Sequence, residues 1–169
     1  MNKQTKILIL NTGGTFNKYY EPISGKLIVS NSNKYIKSIF NKSFKANKKP
    51  KIEGILFKDS LEITIKDREK LIKKIIDSKF DKIIIVHGTD TMDITAESLH
   101  NNIKNKQIIL VGAMKPYTIE PIEATSNLMM AYGFLLSSNK DGVLISMHGL
   151  IKNYSKIKKN RKKGVFICQ

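Results

Sequence analysis

The stretch IIIVHGTDTMDI, residues 83–94, runs straight from four β-branched apolar residues into a histidine, a glycine, two threonines and an aspartate. A second stretch, LNTGGTFNKYY at 10–20, repeats the design, with an apolar run that ends in threonine and glycine. Three further apolar runs stand at similar intervals, so the set reads KILIL 6–10, KIEGILF 51–57, KIIIV 82–86, QIILVG 107–112 and GVLISM 142–147. Four of the five are continuous rather than alternating, short, and rich in Ile and Val. That is the pattern of strands covered on both faces, as in a parallel sheet.

Helical periodicity fills the gaps between the runs. Leu71, Ile72, Ile75 and Ile76 form one stripe within 65–79, behind a Thr64-x-x-Asp67 start signal. Met92, Ala96, Leu99 and Ile103 do the same over 92–104, and Leu128, Tyr132, Leu135 and Leu136 over 121–137. Tyr35, Ile36, Ile39 and Phe40 mark a weaker helix at 32–41. Strands alternating with helices predict an α/β fold: a three-layer, doubly wound, mostly parallel sheet, flavodoxin-like, in a single domain. Ligands of such sheets bind beyond the carboxyl ends of the strands. NTGGT, HGTDT and GAMKP (112–116) are therefore expected along one edge.

Length and composition set the outer bounds. The chain has 169 residues, room for one ordinary domain and its core, and no apolar stretch approaches the roughly 20 residues of a spanning helix. The apolar core of the N-terminus, ILIL, is too short for a secretory signal, so a cytoplasmic protein is expected. The lone cysteine, Cys168, excludes an internal disulfide and a cysteine-based metal cage. His87, His100 and His148 show no metal-ligand spacing. The net charge of +16 raises nucleic acid as a partner. Only Arg68 and Arg161 are arginine, however, and arginine's planar fork is the usual reader of phosphates and bases, so the lysine excess is read as a solvated surface. The lysine-rich segment 152–163 reads as partly a tail.

The threonine loops carry the chemistry. Gly13-Gly14 lacks the spacing of a nucleotide-binding loop, which leaves a sharp βα turn or a close approach to a small ligand. In HGTDT the carboxylate of Asp90 follows the hydroxyl of Thr89. An alcohol needs a neighbouring base to act as a nucleophile, and a lysine from elsewhere, oriented by Asp90, could take its proton. Asp90 could equally grip a substrate ammonium or cap the next helix. His87, at the end of a buried strand, reads as a hydrogen-bonded structural residue.

Taken together, ILNTGGTF, KDSLEI (58–63), VHGTDTM, ILVGAMKP and DGVLISMHG resemble, in order, five blocks of the N-terminal domain of the bacterial-type L-asparaginase family. The resemblance implies an amidohydrolase that turns the side-chain amide of L-asparagine, glutamine or a related small amide into acid and ammonia, with no metal or organic cofactor. By position, Thr12 would attack the amide carbonyl or lie nearest to it, supported by Tyr20 or its rival Tyr19. Thr89 and Asp90 would act with Lys159 or Lys158. Ser60 would hold the substrate carboxylate, with Gly88, Asp90 and the Ala113 backbone completing the substrate contacts. Leu61 stands where the family often has glutamine. The resemblance also implies a homo-oligomer, a dimer or tetramer. The family's smaller C-terminal domain, whose acidic residue completes the first threonine group, finds no counterpart within 1–169. Glu21 and Glu62, of this chain or of a symmetry mate, are the candidates to replace that acid.

Overall fold

In the computed structural model, which describes residues 6–43 and 49–169, five parallel strands form the centre of a six-stranded sheet. They are β1 (Ile7–Gly13), β4 (Lys51–Lys58), β5 (Lys82–Val86), β6 (Gln107–Val111) and β7 (Gly142–Met147). Two short strands, β2 (Lys18–Glu21) and β3 (Lys26–Val29), pair with each other outside this sheet. The order β4-β1-β5-β6-β7 is the flavodoxin-like doubly wound arrangement. An antiparallel strand, β8 (Leu150–Asn153), extends it beyond β7.

Strand alternation divides the core into two layers. Leu8, Leu10, Ile83, Ile85, Ile108 and Leu110 face helices α2 (Ile65–Ile76) and α3 (Met92–Asn102). Their neighbours Ile7, Ile9, Ile84, Val86, Ile109 and Val111 face α1 (Lys34–Ser43) and α4 (Pro121–Ser137). Each of these side chains is almost fully buried, worth about 1.5–3 kcal/mol apiece in apolar transfer. The Thr64 start signal is a complete capping box: the Thr64 hydroxyl accepts from the Asp67 N–H, and the Asp67 carboxylate accepts from the Thr64 N–H.

Register places the site. Gly54, Asn11, Val86, Val111 and Ser146 lie in one row across the five parallel strands. The residues that follow this row leave the sheet at one level, which brings TGGT, HGTDT and GAMKP to a common edge. Among the described residues no helix is long and apolar enough to cross a membrane.

The lysine-rich segment corrects the expectation of a tail. Strands β9 (Ile157–Asn160) and β10 (Val165–Cys168) form an antiparallel hairpin, and Ile157 and Phe166 are buried in the core beside α3 and β7. Both hairpins close on the same five-residue design. In Glu21–Gly25 and Asn160–Gly164 the last N–H donates to the first carbonyl, at 2.9 Å in each. Gly25 and Gly164 take the left-handed conformation that closure requires. The first side chain accepts from the turn: Glu21 from the Ile23 and Ser24 N–H groups, Asn160 from the Lys163 N–H.

Candidate active site

HGTDT leaves β5 and meets the serine loop, KDS, that follows β4. The Asp90 N–H donates to Ser60 Oγ at 3.3 Å, and the Thr91 hydroxyl donates to the Ser60 carbonyl at 2.8 Å. The chain reaches the serine loop through Phe57, which holds φ at 61°, a costly conformation for a residue with a Cβ. Asp59 accepts from the Leu61 N–H and from Lys18 Nζ at 2.6 Å, which ties the serine loop to the start of the β2–β3 hairpin. Burial works against the charge on Asp59, but the Lys18 ammonium and that N–H hold its carboxyl below the usual range.

The paired glycines serve the packing of these loops. Gly13 has φ 107°, and a Cβ there would collide with the Lys58 backbone; at Gly14, φ 75°, it would collide with the Gly88 backbone. The Gly14 N–H donates to the Lys58 carbonyl at 2.9 Å. Loop-to-loop contact therefore accounts for TGGT's glycines.

Lys159 on β9 is brought to the loop after β5. Its Nζ donates to Thr89 Oγ1 and to Asp90 Oδ1, each at 2.8 Å. The Lys159 side chain is only 14% exposed, and Lys158, its neighbour on the strand, is exposed. Arg161, in the turn after β9, donates through Nη2 to the Asp90 carbonyl at 2.8 Å. Asp90 is not the cap of α3: that position belongs to Thr91, whose side chain makes no capping bond. The carboxylate turns to Lys159 instead.

The other expected residues divide into those near this group and those apart from it. Ser60, Gly88 and Ala113 line the same loops and are buried. The Ala113 loop is held from α4: Asn127 Nδ2 donates to the Gly112 carbonyl at 3.0 Å, and Glu123 accepts from the Met114 and Lys115 N–H groups. Thr12 is fully buried, and its hydroxyl donates to the Val86 carbonyl at 2.8 Å. Its placement pins β1 to β5 and engages, on a backbone carbonyl, the hydroxyl that the resemblance would have attack the amide. Thr15, which opens a short 3-10 turn after Gly14, is partly exposed. Gly14 rests on Gly88, so Thr15 and Thr89 each stand one residue from the same backbone contact.

Tyr20 is 58% exposed on the β2–β3 hairpin, paired with Leu27. Tyr19 lies on the other face of the strand, its ring 5.6 Å from Lys34 Nζ. Of the candidate acids, the Glu21 carboxylate is spent on its own hairpin turn, and Glu62 is exposed. Arg161 and Asn127, which bond the loops after β5 and β6, escaped the sequence reading. The one available signal was the shared turn design, which would have made the second hairpin a structured partner of HGTDT.

Comparison with known proteins agrees with this fold. The profile of the family described as Asparaginase, N-terminal, matches residues 6–166. A Thermococcus kodakarensis L-asparaginase is 30% identical over 133 residues, 76% of this chain and 40% of its own. A glutamyl-tRNA(Gln) amidotransferase component from Methanococcus maripaludis is 32% identical over 150 residues, 87% of this chain and 36% of its own. In structure, the chain superposes on the thermostable L-asparaginase from Thermococcus kodakarensis with a TM-score of 0.83 at 26% identity, covering 97% of this chain and 51% of that one. A probable cytoplasmic L-asparaginase from Campylobacter jejuni gives 0.79 at 26% identity, covering 98% and 53%. The chain thus spans between a third and about half the length of these relatives. It belongs to the asparaginase family and has the fold of that family's N-terminal domain.

Proposed function

We propose that this chain is an amidohydrolase that converts the side-chain amide of L-asparagine, or of glutamine or a related small amide, into the acid and ammonia. The observation that carries the reading is Lys159 Nζ at 2.8 Å from both Thr89 Oγ1 and Asp90 Oδ1. A hydroxyl, an amine and a carboxylate in that sequence are the parts that proton transfer from an alcohol requires. As a free amine, Lys159 takes the hydroxyl proton while Asp90 steadies the resulting ammonium. Oxygen attack on the amide carbonyl forms a tetrahedral intermediate. The C–N bond then breaks, the proton leaves with ammonia, and water hydrolyses the threonine ester to the acid.

Thr15 is the second working hydroxyl in this proposal, in place of Thr12, supported by its partial exposure and its position beside the Gly14–Gly88 contact. Ser60 and Asp90, joined where the same loops meet, suit the carboxylate and the ammonium of an amino acid respectively. A homo-oligomer, dimer or tetramer, is part of the same reading, since Glu21 is engaged in its own turn and a second copy could bring an acid to Thr15. The test is ammonia release over a panel of asparagine, glutamine and simple amides, with Thr89→Ala and Lys159→Met as controls. Turnover by the wild type and its loss in both variants is expected; full activity in either variant sinks the assignment.

A second reading is favoured by the amidotransferase relatives: the same chemistry would release ammonia for use by a partner protein. Turnover of glutamine that rises only when such a partner is added separates the two.

A further inference from the structure

Behind HGTDT lies a buried chain of polar groups that the proposed mechanism does not use. Arg68 on α2 is only 9% exposed. Its Nε donates to Thr95 Oγ1 at 3.0 Å, and its Nη1 donates to the Ile63 carbonyl at 3.0 Å. Thr95 Oγ1 lies 2.9 Å from His87 Nε2, and His87 Nδ1 lies 2.7 Å from the Gly88 carbonyl. Thr95 and His87 are fully buried.

The chemistry of the two ends fixes every proton between them. A guanidinium only donates and a carbonyl only accepts. Gly88 therefore requires a proton on Nδ1, and the neutral ring then offers a bare Nε2. Thr95 accepts from Arg68 and passes its own proton toward that nitrogen. Burial and the neighbouring Arg68 charge oppose a second proton on the ring, holding its pKa down at about 4. All three bonds point the same way, from the guanidinium to the Gly88 carbonyl. Bonds so aligned polarise one another.

The Gly88 carbonyl belongs to the same peptide as the Thr89 N–H. Because the peptide is conjugated, density drawn to the oxygen leaves that N–H more positive. We propose that Arg68, Thr95 and His87 are positioning residues that orient and polarise the Gly88–Thr89 peptide, so that the Thr89 N–H is a strengthened donor for the negative charge developing on the amide oxygen. The inference rests on the amidohydrolase reading for its catalytic consequence, whereas the relay itself does not. Backbone N–H groups aimed at a developing oxyanion are among the largest contributors to acyl-transfer catalysis.

Two measurements decide it. The first needs no turnover: nitrogen NMR of histidine-labelled protein near neutral pH, with His87→Asn to identify the signals. A neutral Nδ1–H tautomer of His87 is expected, together with a Thr89 amide proton that moves upfield in Thr95→Val. An Nε2–H tautomer, an imidazolium, or an unmoved Thr89 signal overturns the relay. The second is kinetic. Thr95→Val, which keeps the shape and loses the hydroxyl, is expected to lower kcat about tenfold with KM within about twofold, the scale of one hydrogen bond. Thr95→Ser restores it. An unchanged kcat in Thr95→Val, or a loss that Thr95→Ser does not repair, removes the catalytic role. If the wild type turns over no amide, the functional reading falls while the NMR arm still decides the relay; if Thr95→Val fails to fold, the tautomer in the wild type and in Thr95→Ser decides it.

Discussion

TGGT and HGTDT leave adjacent strands at the same level, yet only one of them arrives equipped. Thr89 has a lysine and a carboxylate in bonding distance and a buried polar chain behind its peptide. Thr15 has glycines that fit it against its neighbours, while of the candidate acids Glu21 is engaged in its own turn and Glu62 is exposed. A site of paired hydroxyls can therefore be built asymmetrically. One half is complete within the fold, by means of a hairpin that reaches it from 70 residues further along the chain. The other half is shaped but has its acid–base partner still to be supplied.

Disabling the equipped half should have the largest effect. Lys159→Met keeps the stem of the side chain and removes its amine, so ammonia release should fall by about 10²–10⁴-fold, the usual contribution of a general base. Circular dichroism should stay that of the wild type. Retention of more than a tenth of the activity would show that Thr89 does not depend on this lysine.

The pair Thr15→Val and Thr12→Val separates the two hydroxyls within TGGT itself. Thr15→Val should reduce turnover by at least about 10²-fold without loss of stability, on the scale of a lost catalytic group. Thr12→Val should leave turnover within a fewfold and cost about 1–3 kcal/mol in urea unfolding, because the buried Val86 carbonyl loses its donor. The opposite pattern would return the catalytic role to Thr12.

The polar chain behind HGTDT makes a prediction in pH. The folded imidazole of His87 protonates at about 4 instead of 6.5. Between those values the unfolded chain binds a proton that the folded one does not. The stability owed to the neutral ring is therefore full above pH 6.5 and is lost as pH falls towards 4, by roughly 3 kcal/mol in total. Urea midpoints from pH 7.5 to 4 for wild type and His87→Asn check this: the variant should show a clearly shallower fall.

The smallest effect lies in the helix that carries Arg68. The Lys58 ammonium first, and then the Thr64 N–H, hold Asp67 at about 2, against an ordinary 3.8. Its contribution is present above 3.8 and disappears as pH falls through that window to about 2. Asp67→Asn should be mildly destabilised at neutral pH and should lack this acid limb in the unfolding midpoint. A limb of undiminished size in the variant would assign it to other carboxylates.

The hydrophobic pattern made the central fold readable. Continuous Ile/Val runs can satisfy both faces only when helices cover both, so the five parallel strands, the four helices and the common edge followed from the sequence with small shifts at their ends. The hairpins were less legible because their strands are short, lysine-rich and half-exposed, with little apolar periodicity to read; their signal lay in Glu21–Gly25 and Asn160–Gly164, in turn chemistry instead. The same cause blurred the site. The family resemblance left Lys158 and Lys159 both open, two residues that a strand sends to opposite faces.

The information carried by the chain alone was therefore local: which residues alternate, which loops end strands, and that hydroxyls gather at one edge. Which hydroxyl stays accessible was a tertiary matter. Thr12 and Thr15 are three residues apart and chemically identical, yet the hydroxyl of one is buried on the Val86 carbonyl while the other, just past the Gly14–Gly88 contact, is partly exposed. Lys159 meets Thr89 only because Ile157 and Phe166 bury themselves against the core and fix the hairpin's register there. Packing between segments remote in the chain sets such contacts, and no local pattern of residues encodes them.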